Sequence, residues 1–392
     1  MPRCPCTHCS QNIEFPIEMA GQKVQCPACG KLTELSDLEA PIIKIPKHNI
    51  PLPFAEPNHP PIAPDLPRVT NEKSSRVSQT ANRIIDNVEK VIIGKRDKIV
   101  LAMVAYFSEG HILLEDVPGV AKTMLARSLA QSVGASFKRI QCTPDLLPND
   151  ITGASVFNPK TTDFEFRAGP LFAQIVLADE INRTTPRTQA ALLEAMAEGK
   201  VTVDGTNYQL ERPFLILATQ NPIDHEGTFP LPEAQLDRFL IRLSLGYPTL
   251  EEEGWMIDRL QHGHPIETLE AAVTAQEVIA CQEAVREIHV DVKVRDYLLQ
   301  VIRATREHTA IILGGSPRAS MAVFRAAQAL AAIQGYDFVL PDHVKEVAPA
   351  VLTHRLIVRP EYRLRKVTAN SVLNEILNQI PVPTIPGGGG AP

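Results

Sequence analysis

Residues 113–123 read Leu113-Leu114-Glu115-Asp116-Val117-Pro118-Gly119-Val120-Ala121-Lys122-Thr123. A short apolar run enters a Pro-Gly turn. The turn leads into Lys122–Val133, where Leu125, Leu129 and Val133 recur at the spacing of one helix face. Strand, tight loop and helix in that order let backbone N–H groups at a helix N-terminus cradle phosphate. Pro118, Gly119, Val120 and Ala121 supply the cradle, and Met124 follows in the first helical turn. Lys122 would neutralise phosphate oxygens there, and the Thr123 hydroxyl would ligate Mg²⁺. Two positions depart from the GxxxxGK[ST] pattern, because Asp116 and Ala121 stand where glycines are expected. A carboxylate at 116 repels phosphate unless it points away. Ala121 adds only a methyl, which the loop accepts if φ there is negative. The alternative is an ordinary strand–turn–helix with an exposed lysine.

Outward from this loop, apolar runs of strand length alternate with helical patterns, which predicts an α/β fold around a parallel sheet. The candidate strands are His111–Leu114, Phe137–Cys142, Ile175–Ala178, Phe214–Ala218 and Leu240–Leu245. Two hairpins interrupt them. One pairs Ser155–Asn158 with Asp163–Arg167, and the other turns at Asp204-Gly205 between Val201/Val203 and Tyr208/Leu210. From about Glu251 to Ile380 the pattern is helical, with Ala-rich helices around Arg318–Ile333 and Asp342–Leu352. The expected organisation is an α/β domain over 77–250, an all-α domain over 251–382, and a frayed Gly-rich tail over 383–392.

Further residues suit the phosphate loop. Ile175-Val176-Leu177-Ala178-Asp179-Glu180 is a strand ending in two acids. Asp179 would hold Mg²⁺ through water, and Glu180 would polarise an attacking water. Ala218-Thr219-Gln220-Asn221-Pro222 ends another strand, where Asn221 either orients that water or simply forms the turn before Pro222. Arg238 could reach a neighbouring subunit's phosphate or pair locally with Asp237. Arg318 opens a helix after Gly314-Gly315-Ser316-Pro317, a place where a cation opposes the macrodipole unless an anion lies near.

The N-terminus is a different module. Cys6-x2-Cys9, sixteen intervening residues and Cys26-x2-Cys29 fit four-thiolate zinc-ribbon spacing, which places a zinc ribbon over 1–36. Cys4 is the surplus thiol, an alternative to Cys6 that CxxC geometry disfavours, and Gly21 can turn the intervening hairpin. Residues 37–76 hold nine Pro and no Cys, the composition of an extended linker. Cys142 and Cys281 read as buried small hydrophobes, and no His spacing suggests a second metal site.

The 392 residues carry 39 basic and 45 acidic side chains, a net charge of −6, with 44% hydrophobic and 21% charged residues. That is ordinary globular composition and argues against whole-chain disorder. No apolar run is long enough to span a bilayer and none at the N-terminus resembles a signal peptide, so the expectation is a cytoplasmic protein without membrane insertion. The acidic balance and the lack of Lys/Arg runs disfavour a nucleic-acid partner.

Together these segments resemble the MoxR family of AAA+ ATPases over roughly residues 80–380. The resemblance rests on His111–Gly119, Leu177–Arg183, Ala218–Pro222, Pro232-Glu233-Ala234-Gln235-Leu236-Asp237-Arg238-Phe239 and Gly315-Ser316-Pro317-Arg318-Ala319. It implies ATP and Mg²⁺ as ligands. Lys122 and Thr123 match Walker A, Asp179 and Glu180 match Walker B, and Asn221 matches sensor 1. Arg238 matches the arginine finger and Arg318 sensor 2. Val91-Ile92-Ile93-Gly94 resembles the segment that packs on adenine, and the 151–172 hairpin region resembles the helix-2 insert. The resemblance further implies a homo-oligomeric ring, usually a hexamer, and chaperone-like remodelling with a von Willebrand A-domain protein as partner. The departures are Ala121 and the added zinc ribbon with its tether. The competing readings are a nucleotide-gated scaffold that does not hydrolyse, motivated by Asp116 and Ala121, and a nucleic-acid-associated ATPase directed by the zinc ribbon.

Overall fold

The computed structural model describes residues 3–6, 8–9, 12–14, 23–34, 72–221, 227–260 and 264–383. The Pro-rich stretch up to residue 71, Gly21, Pro222 and the tail from residue 384 lie outside them, and of Cys4 only the backbone is described. The chain divides into two units, 1–64 and 65–392.

The first unit contains two antiparallel ribbons. β1 (Arg3–Pro5) pairs with β2 (Asn12–Glu14), and β3 (Lys23–Gln25) with β4 (Leu32–Glu34). Each CxxC pair lies between the strands of one ribbon. Gly30 takes φ +69° in the second turn, where its N–H donates to the Cys26 carbonyl at 2.9 Å.

In the second unit, α1 (Glu72–Glu89) and α2 (Arg96–Phe107) precede β5 (Ile112–Glu115). α1 begins inside the stretch read as linker. Then follow α3 (Lys122–Ser132), β6 (Phe137–Gln141), α4 (Pro148–Thr152) and the hairpin β7 (Gly153–Asn158)–β8 (Asp163–Ala168). β9 (Ile175–Asp179) and α5 (Pro186–Glu198) lead to a second hairpin, β10 (Lys200–Val203)–β11 (Thr206–Gln209). β12 (Leu215–Gln220), α6 (Glu233–Leu236) and β13 (Ile241–Leu243) complete the α/β part.

Five strands form one parallel sheet in the order β13-β5-β12-β9-β6. These are the five runs expected as strands. β5, β9 and β12 lie inside the sheet and are apolar on both faces, as parallel strands covered on both sides must be. Alternate residues enter two cores. Ile112, Leu114, Ile175, Leu177, Leu215 and Leu217 point to one face, while Leu113, Val176, Ala178, Ile216 and Ala218 point to the other. Each of these Leu, Ile and Val side chains contributes about 1.5–3 kcal/mol by burial. β13 stops at Leu243, earlier than the apolar pattern suggests. Beyond it the N–H groups of Leu245 and Gly246 are taken by the Asp116 carboxylate instead of a strand partner.

The remainder is α7 (Leu250–Leu260), α8 (Ala275–Arg286), α9 (Val292–Glu307), α10 (Pro317–Ile333), α11 (Pro341–Leu352), α12 (Pro360–Leu364) and α13 (Ala369–Gln379). One short ribbon, β14 (Ile311–Leu313) with β15 (Ile357–Val358), interrupts the helices and was not expected from the pattern. Start signals are explicit in the sequence. Thr274 and Glu277 form a capping box at α8, Asp291 caps α9, and Ser316 accepts from Ala319 N–H at 3.2 Å to cap α10. α1 packs on α8 and α10 of this helical part. Among the described residues, no helix is long and apolar enough to cross a membrane.

Candidate functional site

Three features line up along the carboxyl edge of the sheet, where ligands bind in open α/β folds. The loop after β5 begins beside the end of β12, since Glu115 is in register with Gln220 and Asp116 N–H donates to the Gln220 carbonyl at 3.4 Å. β12 runs into Asn221, which is buried. On its other side β12 pairs with β9, Ala218 opposite Ala178, so Asp179 and Glu180 emerge next to Thr219. With β12 alone between them, β5 and β9 are about 10 Å apart.

Within the loop, Gly119 takes φ +88°, and nothing beyond its chain neighbours lies within 4 Å of where a Cβ would stand. The cradle is therefore open. Ala121 takes φ +61° and ψ 22°, immediately before α3. The condition of a negative φ is not met: the alanine occupies the left-handed conformation that glycine adopts at no steric cost. The Lys122 ammonium donates to the Asp116 carbonyl at 2.8 Å, arching back over the loop. Asp116 itself answers the concern about repulsion. Its carboxylate is buried and turned away, accepting from Ser244 Oγ at 2.9 Å, from Leu245 N–H and from Gly246 N–H at 3.3 Å. It ties the phosphate loop to the segment after β13.

The acid pair is held by groups outside the motifs themselves. Thr219, fully buried, donates from Oγ1 to Asp179 Oδ1 at 2.6 Å and accepts from Glu180 N–H at 2.7 Å. That second bond supports Glu180 in a left-handed conformation, φ 58° and ψ 51°. Arg139 on β6 donates to Asp179 Oδ2 from Nε at 3.1 Å and from Nη2 at 2.6 Å. Glu180 Oε2 accepts from Gln141 Nε2 at 3.2 Å and Arg183 Nη1 at 3.0 Å. The available signal was period 2 on β6: Arg139 and Gln141 flank a buried Ile140 and share the exposed face. Cys142 is buried as expected. Its thiol is pushed up to about 12, first by burial and then by the charges of Asp179 and Glu180.

Gly94 and its neighbours sit at the same edge. Lys95 donates to the Tyr247 carbonyl at 3.1 Å and pairs with Glu252 at 3.4 Å. A Cβ on Gly94, where φ is +70°, would fall 1.7 Å from Glu252 Oε1, so another residue there would strain the backbone and push Glu252 away from Lys95.

Arg238 and Arg318 lie elsewhere. β13 runs parallel to β5 and starts opposite Ile112, so residues just before it stand at the amino end of the sheet. Arg238 there donates to the Leu193 carbonyl of α5 at 3.1 Å. It does not pair with Asp237, whose partners come from the helical part: Arg355 Nε at 2.8 Å, Ser316 Oγ at 3.1 Å and Arg318 Nη1 at 3.8 Å. Arg355 is buried, and its guanidinium also serves the Asp237, Phe239 and Leu240 carbonyls. His354 beside it is held well below the usual imidazole range, by burial first and then by Arg355. The four-residue length of β5 separates this end from the phosphate loop, about 13 Å at strand rise. Neither arginine is gathered to this chain's own Lys122.

In the N-terminal unit, Cys6, Cys9, Cys26 and Cys29 bring their Sγ atoms within 4.8 Å of one another. The Cys6–Cys29 separation is 3.8 Å and Cys9–Cys26 is 3.7 Å. A tetrahedron of metal–thiolate bonds of about 2.3 Å has edges of about 3.8 Å, so these four thiols fit a tetrahedral thiophilic ion. The Cys6 thiol is lowered to about 6, chiefly by the Thr33 hydroxyl and then by the His8 N–H. For the other site, the Thr123 hydroxyl and the Asp179 carboxylate are hard oxygen donors of the kind Mg²⁺ takes.

Residues 111–241 match the family model described as ATPase family associated with various cellular activities (AAA), and residues 303–376 match an AAA lid domain. The Bacillus subtilis protein YeaC is 49% identical over 301 residues, 77% of this chain and 94% of YeaC. The Mycobacterium tuberculosis chaperone MoxR1 is 39% identical over 315 residues, 78% of this chain and 83% of MoxR1. The crystal structure of a candidate ATPase from Cytophaga hutchinsonii superposes with a TM-score of 0.75 at 36% identity, covering 80% of this chain and 98% of that one. With its sheet order, its phosphate loop and acid pair on one sheet edge, and relatives this similar over most of their length, the chain belongs to the MoxR family of AAA+ ATPases.

Proposed function

We propose that the chain binds and hydrolyses ATP and couples this to chaperone-like remodelling of partner proteins, working as a homo-oligomeric ring, a hexamer, in the cytoplasm. The observation that carries this reading is the alignment of the phosphate loop, Asn221 and Asp179–Glu180 on three adjacent strands. The name of the relative MoxR1 as a chaperone supports the remodelling part. A von Willebrand A-domain protein remains the proposed partner class. The proposed organisation is a zinc ribbon over 1–36, a tether over 37–76, the ATP-binding domain over 77–250 and the lid over 251–382.

Backbone N–H groups from Gly119 to Thr123 face the β-phosphate, with the helix dipole of α3 behind them. Lys122 exchanges its bond to the Asp116 carbonyl for phosphate oxygens. Thr123 and Asp179 would hold Mg²⁺, which would supply charge neutralisation at the phosphates. Glu180 accepts the proton of the attacking water at a carboxylate oxygen, with Asn221 orienting that water. Arg238 and Arg318, sharing the amino end of the sheet through Asp237, serve the nucleotide of an adjoining subunit. Zinc on the four thiolates supplies folding energy to the ribbon, which has almost no core of its own.

Steady-state phosphate release tests the reading. Turnover should vanish in Glu180→Gln while ATP binding persists; a wild-type chain that binds ATP and releases no phosphate, alone and with partner proteins added, would refute it. That result would select the non-hydrolysing scaffold, for which Ala121 is now the remaining motive, since Asp116 points away from the loop.

A further inference from the structure

α7 is a helix without a partner on its outer side. Its inner side is engaged: Glu252 meets Lys95, and Arg259 Nη1 donates to the Lys90 carbonyl at 2.7 Å. The opposite side carries Leu250, Gly254 and Ile257 at i, i+4 and i+7, with Leu250 86% and Ile257 63% exposed. Glu251, Glu253 and Asp258 flank that stripe, all exposed and with no side-chain partner among the described residues. Trp255, 54% exposed, lies on the same helix beyond Glu251, toward the Arg259 side. An amphipathic helix that turns its apolar stripe to solvent is incomplete as it stands.

A surface of matching chemistry lies at the other end of the molecule. On α10, Arg318, Met321 and Arg325 recur at i, i+3 and i+7, and all three are exposed, Met321 by 59%. Just before them in the chain, Ile312 and Leu313 of β14 are also exposed. One stripe is apolar with acidic borders and the other is apolar with basic ends.

Position supports the pairing. α7 follows Ser244–Gly246, which the Asp116 carboxylate clamps to the phosphate loop, so it flanks the nucleotide edge of the sheet. The α10 stripe contains Arg318, at the arginine-bearing end. An adjoining subunit that presents Arg238 to this nucleotide edge brings its α10 stripe to the same side.

We infer that α7 is an assembly helix whose outer face is covered by the Arg318–Met321–Arg325 stripe and the β14 ribbon of a second copy of this chain. The inference rests on the arginine placement proposed above, and it names the surface that closes the subunit contact. Apolar contact supplies the burial, and the acid–base borders fix register and direction.

Trp255 is the only Trp of the chain, so its emission reports the surroundings of α7. The experiment combines sedimentation velocity with tryptophan emission on the full-length chain, with and without ATP and Mg²⁺, and measures phosphate release alongside. Assembly should move the emission to shorter wavelength. Ile257→Arg should raise the concentration for half-assembly about thirtyfold, the effect of one interfacial hot spot. Monomeric Ile257→Arg should still bind ATP as the wild type does, which shows that it folds. Glu253→Arg should weaken assembly, and adding Arg325→Glu should restore it. An Ile257→Arg chain that assembles like the wild type, a Glu253→Arg chain whose assembly Arg325→Glu does not restore, or a wild type that is monomeric at every concentration with ATP present would each overturn the inference. A wild type that assembles with the emission shift but releases no phosphate would instead refute hydrolysis and leave the surface standing.

Discussion

Restoring the two missing glycines of the phosphate loop should have opposite effects on stability. The Asp116 carboxylate accepts from Ser244 Oγ, Leu245 N–H and Gly246 N–H while buried. In Asp116→Gly the hydroxyl can turn to water, but the buried Leu245 N–H and the half-buried Gly246 N–H lose their acceptor. Each orphaned N–H costs about 1.5 kcal/mol, within the usual ~1–3 kcal/mol. The added backbone freedom of glycine costs roughly 0.5–1 kcal/mol more. The expected loss is about 4 kcal/mol. Asp116→Asn keeps one acceptor oxygen and should lose about half of that. Ala121→Gly works the other way. Relief of the left-handed conformation at φ +61° gains about 1–2 kcal/mol, against about 0.4–1 kcal/mol of unfolded-state entropy. The net is a gain of roughly 0.5–1 kcal/mol. Urea unfolding followed by far-ultraviolet circular dichroism, with nucleotide affinity measured in parallel, separates the two. An Asp116→Gly chain within about half a kcal/mol of the wild type would refute the clamp, because the bonds at stake are worth several times that. A destabilised Ala121→Gly chain would refute the assigned backbone conformation.

Further outcomes follow from the same geometry. Thr219→Val removes the hydroxyl between Asp179 and the Glu180 N–H and should cut phosphate release at least tenfold, at a cost of about 1–3 kcal/mol, with ATP affinity little changed; equal turnover would show that the acid pair needs no lock. Asp237→Ala leaves the buried Arg355 without its carboxylate and should cost about 3–5 kcal/mol in urea unfolding. His111 and His343 are both lowered from 6.5 to about 4, chiefly by burial. Their folded forms bind protons less readily than their unfolded forms, so stability is complete above the unfolded value and is lost as pH falls from 6.5 toward 4. Near pH 5 each should have removed about 2 kcal/mol, and unfolding free energies equal near pH 7 and near pH 5 would contradict this. Full-length protein should carry one zinc ion per chain by elemental analysis. Cys9→Ser should lose the ion while the melting of the 65–392 unit stays as it was; a metal-free wild type would remove the ribbon proposal.

The sheet was legible because its inner strands are apolar on both faces. Leu215–Ala218 or Ile175–Ala178 cannot be mistaken for surface segments, and only parallel strands between helices bury both sides. The edges were less so. β13 looked six residues long because Leu245 is apolar, and no pattern announces that a carboxylate 129 positions earlier takes its N–H. The same long-range bonding hid the role of Asp116, which local comparison reads as a flawed glycine. Thr219 stood in plain sight between Ala218 and Gln220, but its value comes from register with β9, and register is set by the whole sheet. The acids at 179 and 180 were visible, whereas Arg139 and Gln141 were not, since they reach them across a strand pairing. β14 and β15 are three and two residues long and meet from 44 positions apart, too short and too distant for periodicity to register.

The placement of Lys122 and Arg238 at opposite poles of one short sheet has a geometric consequence. On the proposed roles, each molecule is a donor at one pole and an acceptor at the other, so a two-fold dimer, which sets like against like, completes no pocket. Only head-to-tail addition does. An open string then always has one vacant acceptor, whereas a closed circle has none. Activity per molecule should therefore climb with string length and gain a last increment at closure, which makes the specific rate itself a gauge of whether the circle has shut.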